Sequence, residues 1–263
     1  MIPMQTVVIT GSTRGLGFTL AEAFLQRDCA VVICGRTESA VHAALAALTA
    51  RYNADRIHAR PCDVGDFAQV QCLWDEAIAR FGRVDIWINN AGLGGKMKPF
   101  WEMEPQDLDT IVSTNLVGSM YGSRVALAGM VAQGSGALWN MEGFGSDGAT
   151  RPGLTPYATT KSAIRYLTDA LVAETKDKPI LVGAISPGMM VTDLLLTNVA
   201  PGQEKSARRV FNILADKVET VAPWIADNVL ATTKTGQRII WLTKSKIYKR
   251  FAAAPFRRRN VLD

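Results

Sequence analysis

Histidine, paired cysteine and long uncharged runs are scarce in this chain, and each scarcity removes a class of function. Its 263 residues hold two histidines, His42 and His58, and four cysteines, Cys29, Cys34, Cys62 and Cys72. No two cysteines stand as C-x-x-C, so neither a zinc site nor a dithiol redox motif is expected. The cysteines lie in or beside apolar segments, which reads as reduced, buried thiols in a reducing compartment. No uncharged run reaches membrane-spanning length. No leader pattern precedes the first apolar run, which begins within a few residues of Met1. The expected location is the cytoplasm or another reducing, soluble compartment. No zinc finger, RNA-binding signature or stripe of basic and aromatic residues points to nucleic acid.

What is present suits one α/β domain over residues 1–263, with 48% hydrophobic and 20% charged residues. Strand-like apolar runs at 6–10, 30–34, 56–61, 84–89, 137–141, 180–185 and 238–242 alternate with helical patterns near 15–27, 38–52, 66–81, 105–132, 156–175 and 218–231. Short apolar strands joined by helices predict a doubly wound parallel sheet, a Rossmann fold. The stretch 187–215 breaks this rhythm and reads as a substrate-loop insertion with a short helix. Part of the net charge of +5 sits in a basic tail, about 244–263. That tail is expected to be solvated and partly disordered; contact with nucleic acid, an anionic membrane or an acidic partner protein is the alternative.

Chemistry-bearing residues gather at the carboxyl ends of the expected strands, where open α/β sheets bind ligands. Gly11-Ser12-Thr13-Arg14-Gly15-Leu16-Gly17 joins the first strand to the first helix. Its glycines allow a tight turn and close approach of a charged ligand, and the helix points free N–H groups there. The spacing is G-x-x-x-G-x-G, not the common G-x-G-x-x-G, and such turns also serve packing. Gly35 then Arg36 ends the second strand, where an acid would hold a ribose 2′-hydroxyl. An arginine accepts a 2′-phosphate instead, which points to NADP(H), with Arg14 as a second contact. Asp63-Val64 ends the third strand, where a carboxylate accepts from an adenine amino group or caps the next helix. Asn89-Asn90-Ala91-Gly92 ends the fourth; its small residues let a flat ring approach, and its amides can tie neighbouring strands together. Tyr157 and Lys161 share one helix face at i, i+4. A neighbouring cation lowers a phenol from its usual pKa of about 10.

Taken in order, Thr10-Gly11-x-x-x-Gly15-x-Gly17, Asp63, Asn89-Asn90-Ala91-Gly92, Asn115, Tyr157-x-x-x-Lys161 and Pro187-Gly188-x-x-x-Thr192 resemble the short-chain dehydrogenase/reductase family over about residues 5–245. The resemblance implies a nicotinamide cofactor and a catalytic group of Tyr157, Lys161 and Asn115. Asn115 would bend its helix and hold a water in a proton relay. Pro187, Gly188, Met190 and Thr192 would meet the nicotinamide end. It also implies a homodimer or homotetramer through 105–132 and 156–175.

One departure stands out. The family's serine after the fifth strand is missing, and Gly143 or Phe144 holds its place; Ser146, or a backbone N–H, is the expected substitute. Asn140-Met141-Glu142-Gly143-Phe144-Gly145-Ser146-Asp147-Gly148, with Phe211-Asn212-Ile213-Leu214, resembles the chlorophyll b reductase branch of that family. Glu142 stands where that branch is expected to have aspartate. The expectation is an NADPH-dependent carbonyl reductase acting on a 7-formyl group, its bulky apolar substrate covered by Met189, Met190, Leu194, Leu195, Leu196 and Val199. The alternatives are another bulky aldehyde or ketone, or a scaffold that binds NADP(H) without turnover.

Overall fold

Residues 6–9, 31–34 and 86–89 are buried at every position, as strands covered on both faces must be. In the computed structural model, which describes residues 4–191, 204–256 and 259–262, they lie at the middle of a seven-stranded sheet. The strands are β1 (Thr6–Ile9), β2 (Ala30–Gly35), β3 (Ile57–Pro61), β4 (Ile86–Asn89), β5 (Gly136–Met141), β6 (Ile180–Ser186) and β7 (Arg238–Ile240). Their order is β3-β2-β1-β4-β5-β6-β7 and every pairing is parallel. This is the Rossmann-like sheet that the alternating pattern predicts. The chain reverses direction across the sheet between β1 and β4, so a crevice opens there.

The two-residue period of the strands divides the core. Val7, Ile9, Val31, Ile33, Ile86 and Ile88 face α1 (Gly15–Leu25) and a late helix at 218–231. Val8, Val32, Trp87, Leu138 and Val182 face the opposite layer, with Leu73 and Trp74 of α3 (Phe67–Phe81). α2 (Glu38–Thr49) starts where Thr37 accepts from Ala40 N–H, and α3 where Asp66 accepts from Ala68 and Gln69. Cys29, Cys34 and Cys62 are buried as expected, whereas Cys72 is exposed on α3.

Two segments differ from the sequence expectation and a third follows it. The single helix expected over 105–132 is α4 (Pro105–Val112), a π turn (Ser113–Val117) and α5 (Gly118–Gln133). Buried Asn115 sits in the π turn, bonded in both directions to the Leu93 backbone. After α6 (Thr155–Glu174), the helix expected within 187–215 is α7 (Glu204–Leu214), followed by α8 (Val218–Ala231). Finally, the tail is not a loose end. It forms α9 (Lys244–Ala253), and Arg250 and Arg259 both donate to the buried carboxylate of Asp216, at 2.9 and 2.7 Å. Asp216 is 6% exposed and needs these partners, which is why the basic tail folds back. No described helix is long and apolar enough to cross a membrane.

Candidate functional site

The glycine turn is built by backbone and by Thr10 and Asn90. Gly11 has φ +63°, and a Cβ on it would come within 2.7 Å of the Ala91 Cα. Only glycine fits both demands. Thr10 Oγ1 accepts from Asn90 and Ala91 N–H, and Asn90 Nδ2 donates to the Thr10 and Gly11 carbonyls at 2.9 and 3.0 Å. Asn90, expected at the ligand, thus fixes the turn to β4. Ser12 is enclosed: its N–H donates to Cys34 O, and its hydroxyl donates to Ile9 O and accepts from Cys34 N–H. Leu16 and Gly17 are buried in α1, while Arg14 and Gly15 are exposed at its start. α1 opens with no side-chain cap and no acid in its first turn, leaving its N–H groups to the crevice. Thr13 packs on Gly35, and Arg36 is exposed beside them. Asp63 accepts from Gly65 N–H, and the α3 cap is Asp66 instead. Val64 is buried against Gly118.

Across the crevice, α6 presents Tyr157 and Lys161. Lys161 is 4% exposed and its Nζ donates to Met141 O at 2.8 Å, 5.8 Å from the centre of the Tyr157 ring. A Cβ on Gly92 would lie 3.5 Å from Asn115 Oδ1 and 3.8 Å from Lys161 Nζ, so the floor of the crevice adjoins both. Asn115 Nδ2 donates to Leu93 O and to Thr160 Oγ1, which pins the π turn to the α6 turn between Tyr157 and Lys161. Burial pushes the Tyr157 phenol up to about 12, and burial pushes the Lys161 ammonium down to about 8, with the Glu142 carboxylate opposing the second shift. The phenol shift is opposite to the one that the i, i+4 spacing suggests. The ammonium is turned to a carbonyl, and desolvation dominates.

Gly143, not Phe144, faces the tyrosine. A Cβ on Gly143 would collide with the Tyr157 hydroxyl, whereas Phe144 is 40% exposed. Ser146 is buried; its hydroxyl accepts from Gly143 N–H at 3.1 Å and donates to Lys161 O at 3.2 Å. Its proton would have to leave that carbonyl before it could serve a ligand.

On the far wall, Pro187 is buried and Gly188, φ +76°, sits against Leu242. Met190 is buried in the core and bridges to Asp216, and Met189 packs on Ala207, Phe211 and Ala215. Thr192, Leu194, Leu195, Leu196 and Val199 lie outside the described residues.

One ion pair escaped sequence reasoning, and one amide tie between strands is as expected. Glu142, 4% exposed, pairs with Arg238, which also binds Asp169. Asn89 Nδ2 donates to Asn140, Ser119 and Ser123, and Asn140 donates on to Thr168, tying β4 and β5 to α5 and α6 behind the site.

Comparison with known proteins gives a consistent picture. The family model for short chain dehydrogenase matches residues 5–201. The chain is 34% identical to the chlorophyll(ide) b reductase NOL of Arabidopsis thaliana, over 100% of this chain and 78% of that protein. It is 35% identical to the chlorophyll(ide) b reductase NOL of Oryza sativa, over 95% and 75%. Among solved structures, the 3-ketoacyl-(acyl-carrier-protein) reductase from Brucella melitensis complexed with NADH superposes with a TM-score of 0.79 at 27% identity, covering 91% of this chain and 97% of that one.

Proposed function

The chain belongs to the short-chain dehydrogenase family and is an oxidoreductase, and we propose that it reduces a bulky apolar aldehyde with NADPH, the 7-formyl group of chlorophyll b or chlorophyllide b. The observation that carries the reaction class is the Tyr157 hydroxyl, lodged at side-chainless Gly143 beside Lys161. Substrate class rests on likeness over nearly the full chain to two proteins named chlorophyll(ide) b reductase.

A nicotinamide cofactor fits the crevice: exposed Gly15 and Gly92 leave its floor open, and the uncapped start of α1 offers N–H groups to a pyrophosphate. Bound there, it would supply the hydride. Gly11, Thr13, Arg14, Asp63, Ala91, Pro187, Gly188 and Thr192 would hold it. Exposed Arg36, standing at the strand end where an acid would bind a ribose 2′-hydroxyl, favours a 2′-phosphate.

Tyr157 acts as general acid. Its raised pKa keeps the proton on the phenol at neutral pH, ready for an oxygen that gains negative charge. Lys161, charged below about pH 8, stabilises that charge and helps bind the ribose. Asn115 positions α6 through Thr160. With the Ser146 hydroxyl and the Gly143 N–H bonded to each other, other backbone N–H groups of the glycine-rich turn after β5 would complete the oxygen pocket. Exposed Met120 and Val131 on α5 and Tyr166 on α6 form the face through which copies pair into a homodimer or homotetramer.

The test is turnover of chlorophyllide b with NADPH, read as the change of the pigment's absorption bands on conversion of formyl to hydroxymethyl. Turnover of small aliphatic or steroidal carbonyls, with none of chlorophyllide b, would refute the substrate assignment and leave the reductase assignment standing.

A further inference from the structure

Helix α9 is amphipathic in the reverse sense. Its inward side carries cations: Arg250 donates to Asp216 and to Leu214 O, and the Lys246 ammonium lies 3.2 Å from the centre of the Trp241 ring. Its outward side carries aromatics. Tyr248 is 73% exposed, Phe251 46%, and Phe256 just past the helix end 92%. Exposing three large aromatic rings on ten residues of helix and a short extension costs solvation, and a solvated tail does not need them.

Charge is the second observation. Between residues 244 and 262 the sequence has seven Lys or Arg and no acid. One carboxylate, Asp216, serves both Arg250 and Arg259. Lys246 and Lys249 have no carboxylate at ion-pair distance among the described residues. With Arg250, Arg259 and Ala253, they line an open cavity of about 320 Å³. Four cations around one cavity, with one anion shared beneath two of them, leave room and charge for an incoming anion.

We propose that α9 is an interfacial helix that seats the protein on an anionic lipid surface. A lipid phosphate would occupy the Lys246–Lys249–Arg250–Arg259 cavity, and Tyr248, Phe251 and Phe256 would enter the boundary between headgroups and acyl chains. Aromatic rings flanked by lysines match that boundary, where one side is apolar and the other wet and negative. A second copy of this chain is a poor occupant, because apposing two such faces would bring two basic tails together. A nucleic acid duplex would meet the cations but leave three outward aromatics on one helix unused. Placement supports the proposal. α9 follows β7 at the carboxyl edge of the sheet, Leu242 packs on Gly188, and Asp216 ties the helix to Met189 and Val191. The lipid-facing helix thus adjoins the loop that follows the site.

Co-sedimentation of the full chain with vesicles tests this. One vesicle set is phosphatidylcholine alone; the other contains about a third phosphatidylglycerol, both at about 0.1 M salt, where screening acts over about 10 Å. Binding is expected to the anionic vesicles only. Each surface cation contributes about fivefold to such partitioning, so Lys244→Ala with Lys249→Ala should lower it about 25-fold. Tyr248→Ser with Phe251→Ser and Phe256→Ser should weaken it as well. Both variants should keep the native melting temperature and NADPH-dependent turnover of a water-soluble aldehyde. Equal binding to both vesicle sets, or none to either, would overturn the proposal. So would aromatic variants that leave vesicle binding intact while changing the oligomer measured by light scattering.

Discussion

The two halves of the sheet handle polarity differently. In β3-β2-β1 and the helices around it, the described buried polar groups are Thr6, Thr10 and Ser12, all neutral, and ligand-facing capacity comes from backbone N–H groups at the start of α1. From β5 onward the protein buries charge: Glu142, Lys161 and Asp216 are each 6% exposed or less. The first half meets an anion with rigid backbone dipoles, and its buried titratable groups are the thiols Cys29, Cys34 and Cys62. The second half holds ionisable groups whose proton affinities the fold shifts, and it depends on ion pairs for its integrity. Proton chemistry and structural vulnerability therefore fall on the same side of the molecule.

The sharpest way to break this contrast is Tyr157→Phe. It keeps the ring and removes the acid, so turnover should fall about a thousandfold, while NADPH affinity, which loses no charged contact, stays within about twofold. Near-native turnover would place the proton donor elsewhere. Next in size is Asp216→Ala, which leaves Arg250 and Arg259 without their carboxylate; urea unfolding should show a loss of about 3 kcal/mol. An unchanged midpoint would mean the tail adds nothing to stability. Gly143→Ser restores the residue type expected there, yet its Cβ would displace the Tyr157 hydroxyl. Steady-state assays should give a kcat lower by about a hundredfold, not higher. On the nucleotide side, Arg36→Ala should shrink the preference for NADPH over NADH by about tenfold, since a charge-assisted contact is worth about 1.5–3 kcal/mol. Equal affinities in the native protein would refute the NADP(H) assignment. The smallest effect concerns pH. Burial favours neutral Lys161, so kcat/KM for reduction should fall as pH rises through about 8, where the ammonium loses its proton. Glu142→Gln removes a carboxylate that favours the charged form, so the falling limb should move to lower pH.

The sheet could be read from the sequence because β1, β2 and β4 to β6 are apolar over lengths too short for helices, with glycine or asparagine at their ends. Tyr157, Lys161 and the glycine turn were legible because fixed spacing carries them. The clamp on Asp216 was not, since Trp241, Arg250 and Arg259 reach it from 25 to 43 residues away and no local pattern links them. The burial of Met190 in the core, two residues after Gly188, was not marked by any local pattern. Gly143 is informative through the side chain it lacks, which sequence alone could not place against Tyr157 or against Phe144. The π turn was hidden for a related reason, because Asn115 widens the helix through a bond to Leu93, 22 residues earlier.

The amide ladder behind the site bears on how the chain finds its sheet. Asn89 and Asn140 are register partners on β4 and β5, and their side chains meet at 2.8 Å. A slip of one residue would turn one of them to the opposite face and strand several buried donors and acceptors. Each would cost about 1–3 kcal/mol. Apolar neighbours such as Ile88 and Trp139 tolerate shifted packing far better than that. The two asparagines, with their partners on α5 and α6, thus single out one register by a margin that apolar packing alone does not provide.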